Sequence, residues 1–290
     1  MRRHFRTLLF VRAFFLTIRF VLGIFGPSVQ KEVLVKRIRK KGGQIMKGKG
    51  AWPKAVFTDS KNTLFAWDPV WVRACSNILQ KYGNKMDPQE FWRLWATFAT
   101  GENHRAAFGK FKTFTETLRI SLNHAFKASG IPGTPDDVTF MTDLWDEVEP
   151  YPDVVPALTR LQELTKVLIY SNVETEYLDM MVKKFGRFRP DFVGDMDKSQ
   201  SRKPSPRAYR WVLETAGRLL NMKLNFSDVL YVAGPQWDVQ AAMALGMKAV
   251  WIHRSYRYPA EVDGVEPDYQ IDDFRDVVKL VELSLSKGPC

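Results

Sequence analysis

The stretch 54-KAVFTDSKNTLF-65 decides how this chain is read. Ala55 to Thr58 are small, β-branched or aromatic, as in a buried strand, and the polar run that starts at Asp59 ends it. From Asp68 to about Asp146 the apolar spacing becomes helical, over Val72–Tyr82, Pro88–Phe98 and Phe114–Ala128. Gly101 and the run 130-GIPG-133 break that block. After 150-PYP-152 the pattern alternates. Helices are predicted over Val154–Leu164, Glu174–Phe185, Pro206–Ala216 and Asp238–Leu245, and strands over Val167–Tyr170, Phe192–Val193, Val229–Val232 and Ala249–Ile252. Alternation of this kind implies a parallel sheet covered on both faces. The expected architecture is α/β, with a core of residues 51–66 and 148–290 interrupted by a helical insertion over 67–147, and a separate segment at 1–50.

Ligands of open α/β sheets bind beyond the carboxyl ends of the strands. Those ends carry Asp59, the pair Ser171-Asn172 and a loop that closes at Asp238; Lys203 precedes the helix that starts at Pro206. Four polar elements on one edge form the main functional signal. Each also has a plainer reading. Asp238 before an apolar helix fits an N-cap, Ser171-Asn172 fits a turn, and Lys203 fits a solvated loop. Arg93 on an amphipathic helix ordinarily faces water. Trp237 and Tyr209 suit core packing, Cys75 a buried inert thiol, and His104 a solvated break in the helices.

Composition removes several classes of function. The 290 residues are 45% hydrophobic and 13% aromatic, ample for a core. The net charge of +11 is concentrated in residues 1–45, which hold eleven Lys/Arg and one acid, Glu32. The remainder is nearly neutral, so a nucleic-acid-binding face is not required. Two cysteines and four scattered histidines supply neither a disulfide framework nor a zinc motif, and a reducing, cytoplasmic setting is expected.

Residues 1–45 read differently from the body. Arg12 and Arg19 interrupt the apolar stretch Leu8–Phe25, at a cost of roughly 2.5–3.5 kcal/mol for an arginine near the centre of a spanning helix, which disfavours a membrane span. Three readings stay open: a mitochondrial transit peptide, an interfacial membrane anchor, or an extension upstream of a natural start at Met46. The last draws on Lys41-Gly42-Gly43, whose codons can form a bacterial ribosome-binding sequence.

The quoted motifs together resemble the haloacid dehalogenase superfamily, and within it the (S)-2-haloacid dehalogenases. The resemblance covers roughly residues 54–286. The family's FDxYGTLF is matched by 58-TDSKNTLF-65, its strand ending in Ser-Asn by 168-LIYSN-172, and its Lys-Pro with a following Tyr by 203-KPSPRAY-209. Its loop closing in Trp-Asp is matched by 229-VLYVAGPQWD-238, followed by 241-AAMALGMKAVWIHR-254; the cap's Leu-Trp-Arg is matched by Phe91-Trp92-Arg93.

This resemblance implies a Rossmann-like core with an inserted α-helical cap, a homodimer, and a cofactor-free hydrolase acting on 2-halo acids. Asp59 would attack the carbon that bears the halogen, forming an aspartyl ester that water hydrolyses. Lys203 would keep Asp59 ionised, and Asp238 would activate the water. Thr63 and Tyr209 would support the nucleophile. Ser171, Asn172 and Ser60 would bind the substrate, and Arg93 would stabilise the halide beside Trp237 and Asn172. The chain departs from the family at Ala233 and Pro235, where Ser and Asn are usual, and at Lys61 and Asn62. Phosphatases of the superfamily carry a second Asp where Lys61 stands, and a second acid beside Asp238 to hold magnesium; no metal is therefore expected. A phosphatase, or an inert subunit of a larger assembly, are the alternatives.

Overall fold

The computed structural model of the chain describes residues 52–254 and 266–286. The readings made of residues 1–45 and of the segment 1–50 lie outside them. Among the described residues no helix is long and apolar enough to cross a membrane.

Six parallel strands form one sheet. In chain order they are β1 (Ala55–Thr58), β2 (Lys166–Ser171), β3 (Phe192–Asp195), β4 (Val229–Ala233), β5 (Lys248–Ile252) and β6 (Tyr269–Ile271). Their spatial order is β3-β2-β1-β4-β5-β6. All four residues of β1 are buried, which follows from its place inside the sheet with helices on both faces. Its neighbours run in register, Thr58 opposite Ile169 on one side and Val232 on the other. The chain first builds outward through β2 and β3, then returns to add β4. Asp59 leaves the sheet at that reversal of strand order, where α/β folds bind ligands.

Between β1 and β2 the chain forms helices α1 (Trp67–Lys81), α2 (Pro88–Phe108), α3 (Phe114–Ala128) and α4 (Pro135–Thr142). Asp87 caps α2 with Pro88 in its first turn, and Thr113 with Glu116 forms a capping box on α3. The break expected at Gly101 does not occur. Helix α2 runs through it for 21 residues. Packing overrides the intrinsic cost of one helical glycine, about 1 kcal/mol.

The core helices are α5 (Val154–Leu164), α6 (Thr175–Lys183), the single turn α7 (Met196–Ser199), α8 (Pro206–Leu219), α9 (Gln236–Ala244) and α10 (Arg275–Leu285). Helix α9 begins two residues before the predicted start at Asp238. Its N-cap is Pro235, so the N-cap reading of Asp238 is corrected. Cys75 is fully buried, and burial pushes its thiol far above the ordinary range, in agreement with an inert role.

Candidate active site

Strand β1 ends by delivering Asp59 to a cleft between the sheet edge and the helical insertion. Asp59, Lys61 and Lys203 form its floor, with Trp92 and Asn103 of α2 and Trp237 of α9 among its walls. The backbone turns sharply after the aspartate. Asn62 adopts φ 51°, the left-handed region where Asn is better tolerated than most residues. Its side chain pairs with Asp68 in both directions, at 3.1 and 2.6 Å, which ties the turn to the start of α1.

Asp59 is held at both oxygens. Thr63 Oγ1 donates to Oδ2 at 2.9 Å, and Lys203 Nζ donates to Oδ1 at 2.6 Å. Thr63 itself accepts from the Gly234 amide at 2.7 Å, so the loop after β4 helps orient the carboxylate. Lys203 Nζ lies a further 2.6 Å from Asp238 Oδ2, and donates to Tyr231 Oη at 3.1 Å. Asp238 also accepts from Tyr209 at 2.5 Å and from Tyr231 at 2.8 Å.

This cluster is dry. Asp59, Lys203 and Asp238 are 4%, 1% and 0% exposed. Burial pulls the Lys203 pKa down, but Asp238 and Asp59 outweigh it, and the shift is upward. The lysine therefore stays an ammonium. Burial pushes Asp238 up from the usual carboxylate range, against the opposing Lys203 charge.

The expected residues Asp59, Lys203, Asp238, Thr63 and Tyr209 thus meet in one hydrogen-bonded network. Asp238 has both oxygens engaged by protein donors and lies behind Lys203, so it faces Lys203 rather than the cleft. Ser60 and Ser171 also lie behind the cleft wall, joined by a 2.7 Å hydrogen bond. Asn172 reaches the cleft, but its side chain is committed to the backbone of Lys203: Nδ2 donates to the carbonyl at 2.8 Å, and Oδ1 accepts from the amide at 2.8 Å. Trp237 lies on the cleft wall, stacked edge-on against His104 at 5.1 Å. The solvated loop expected for His104 is corrected; it sits on α2, and burial lowers its pKa.

Arg93 is the clear correction. It is exposed and contributes nothing to the cleft wall. A helix turns about 100° per residue, so the residues that share the cleft face with Trp92 are Ala96, Ala99, Thr100 and Asn103. Arg93 points elsewhere.

Three contributors escaped the sequence reading, and a fourth, Lys61, entered it only as a departure from the family pattern. Tyr231 looks like a core aromatic of β4, yet its hydroxyl bridges Lys203 and Asp238. Asn103 of α2 donates to the Lys203 carbonyl at 3.3 Å and accepts from Asn172 at 3.3 Å, linking insertion to core. Arg254 donates to the Thr63 carbonyl through two nitrogens, at 3.1 and 2.6 Å, and pairs with Asp153 at 2.8 Å. Lys61 lies half-buried on the cleft floor, its Nζ 3.3 Å from the centroid of Phe114.

The set does not fit a divalent cation. The space between the two carboxylates is taken by Lys203 Nζ, and among the described residues no group of three His, Cys, Asp or Glu could hold a metal.

Known proteins are similar to this chain in sequence and in fold. An (S)-2-haloacid dehalogenase from Pseudomonas sp. (strain CBS-3) is 23% identical over 191 residues, 61% of this chain and 76% of its own. A phosphoglycolate phosphatase from Pseudomonas fluorescens (strain Pf0-1) is 26% identical over 235 residues, covering 79% and 80%. Among solved structures, the L-2-haloacid dehalogenase of Xanthobacter autotrophicus with chloropropionic acid covalently bound superposes with a TM-score of 0.64 at 21% identity, over 79% of this chain and 98% of that one. That likeness is one of fold. The model of the haloacid dehalogenase-like hydrolases matches residues 53–246, from just before β1 to the end of α9. Since that span holds the strand-end aspartate, the lysine and the closing acid of the network, the chain belongs to the haloacid dehalogenase-like hydrolases.

Proposed function

We propose that this hydrolase cleaves the carbon–halogen bond of short 2-haloalkanoic acids through an ester on Asp59, without metal or cofactor. The observation that carries the reading is the position of Lys203 Nζ, 2.6 Å from Asp59 and 2.6 Å from Asp238. A protein ammonium there neutralises the nucleophile and leaves no room for a cation between the carboxylates. Lys61, two residues after Asp59, replaces the acid that a phosphatase of this superfamily would use.

In the first step an Asp59 oxygen attacks the carbon bearing the halogen. The new C–O bond forms as the carbon–halogen bond breaks, and halide departs with the bonding pair. Water then adds to the ester carbonyl carbon. Its oxygen stays in Asp59, one of its protons ends on the hydroxyl of the released 2-hydroxy acid, and the other passes to solvent. Thr63 and Lys203 hold the carboxylate in line for both steps. Asp238 acts through Lys203, with Tyr209 and Tyr231 fixing its orientation. The helical insertion serves as a cap that keeps water from the displacement.

The test is halide release from a panel of chlorinated, brominated and fluorinated 2-halo acids, with and without EDTA. Release is expected without added metal, and Asp59→Asn is expected to abolish it. Substantial release from Asp59→Asn would remove Asp59 as nucleophile. The phosphatase relatives favour a second reading, hydrolysis of a small phosphate monoester. Phosphate release from phosphoglycolate that requires Mg²⁺ and stops with EDTA, with no halide release, would replace the first reading by the second.

A further inference from the structure

Lys61 is a cleft cation that the reaction described above does not use and that, unlike Arg254 on the Thr63 carbonyl and Asp153, is held by no oxygen among the described residues. It stands two residues past Asp59, just before the turn at Asn62, and projects along the cleft floor toward the helical insertion. Its ammonium rests on aromatic faces, 3.3 Å from the centroid of Phe114 and 5.0 Å from that of Trp67. These cation–π contacts hold it in place but take up none of its three N–H donors as hydrogen bonds. Among the described residues it makes no ion pair or hydrogen bond. Lys203, by contrast, is saturated with two carboxylates and a tyrosine hydroxyl.

A second, independent feature lies on the same wall. Trp92 is 6% exposed and lines the cleft, yet its indole Nε1–H, itself buried, has no acceptor among the described residues. A buried donor without a partner costs about 1–3 kcal/mol, so native structures leave few of them unsatisfied. The residues that the family resemblance offers for anions are otherwise engaged. Arg93 faces solvent, Ser171 is bonded to Ser60, and the Asn172 side chain is committed to the Lys203 backbone.

We propose that Lys61 and the indole N–H of Trp92 form a small-anion subsite, which takes the anionic end of the substrate or the departing anion. The inference deepens the dehalogenase reading, but it concerns binding alone and stands whichever reaction Asp59 performs. A charged donor, a neutral donor and an apolar aromatic surround are the chemistry that holds a carboxylate or a halide. The desolvated surroundings strengthen both contacts. With Lys203 committed to the nucleophile, the cleft has a second cation for the substrate, and the two charges have separate jobs.

The experiment measures binding to the full chain, not turnover. Acetate is titrated calorimetrically and bromide by broadening of its NMR line, for the wild type and for Lys61→Met, Lys61→Arg, Trp92→Phe and Arg93→Met. The wild type is expected to bind at least one of the two anions. Acetate alone would mark the substrate's carboxylate end; bromide alone would mark the leaving-group site. Lys61→Met is expected to weaken binding by about tenfold or more, and Trp92→Phe by about threefold to tenfold, as befits loss of a charged and of a neutral donor. Lys61→Arg is expected to retain binding, and Arg93→Met to leave it unchanged. The proposal is overturned if neither anion binds, or if Lys61→Met binds like the wild type. Should Lys61→Met fail to fold, Lys61→Arg and Trp92→Phe decide: loss in the arginine variant, or no change in the phenylalanine variant, overturns it. Halide release measured separately distinguishes failure of this subsite from failure of the dehalogenase reading.

Discussion

At the scale of single residues, the site is a chain of alternating charges closed by hydroxyls: Asp59, Lys203 and Asp238, with Thr63 at one end and Tyr209 and Tyr231 at the other. Tyr231 supplies a donor on a face of β4 where the family's serine is replaced by Ala233. Removing it leaves a buried carboxylate short of one partner. Tyr231→Phe should therefore lower stability by about 1–3 kcal/mol, measured by urea denaturation, with the fold retained. Lys61 gives a prediction of pH dependence. Burial is the largest influence and lowers its pKa to about 7; Asp59 and Glu174 act upward, Lys203 and Arg202 downward. Only the ammonium attracts an anion. Affinity for acetate should thus be full below pH 7 and fall as the pH rises through that value. In Lys61→Arg, which remains charged, this fall should disappear.

At the scale of elements, α2 joins the insertion to the chemistry. Its cleft face, read at helical spacing, carries Trp92, Ala96, Ala99, Thr100 and Asn103, and Asn103 grips the backbone of Lys203. Asn103→Ala should raise KM for a turned-over acid by about threefold to tenfold, the worth of one buried hydrogen bond, and change kcat less. Equal loss in kcat and kcat/KM would show instead that α2 acts in the chemical step. The central strand is the second critical element. Phe57 is fully buried on β1 and packs edge-on against Tyr231 at 4.9 Å and Tyr209 at 6.3 Å. Phe57→Ala should cost about 3–5 kcal/mol in chemical denaturation, because the cavity would open under the two tyrosines that orient Asp238.

At the scale of the molecule, the Asp59–Lys203 contact spans 144 residues of sequence and the Lys203–Asp238 contact 35, so the network closes only when the sheet is complete. Its ionic character makes it a stability switch. Lys203→Met would leave two buried carboxylates without a cation, at about 3–5 kcal/mol, or roughly 10 °C in Tm for a domain of this size. In that variant Asp238, which burial already pushes up, loses the Lys203 charge that opposes the shift. Its folded-state carboxyl then holds a proton that the unfolded one would release, so the loss should be largest near neutral pH and shrink as acid protonates it. A thermal scan from pH 8 to pH 5 tests this, and a pH-independent loss would contradict it.

What the sequence determined by itself was periodicity and order. Alternating strands and helices, the helical block after the first strand, and polar residues at the strand ends define a parallel α/β sheet with Asp59, Lys203 and Asp238 on one edge. These features are local, written in spacing and turn chemistry. Tertiary structure decided the partners. Arg93 and Trp92 are adjacent in sequence, and only the packing of α2 selects which of them faces the cleft. Tyr231 reads as one more aromatic in a buried strand, because its spacing says nothing of where its hydroxyl ends. Lys61 is legible as a missing acid, but its role as a cation on Phe114 depends on a helix more than fifty residues away. Side-chain partners across such distances are set by how elements pack, and no local pattern in the chain encodes them.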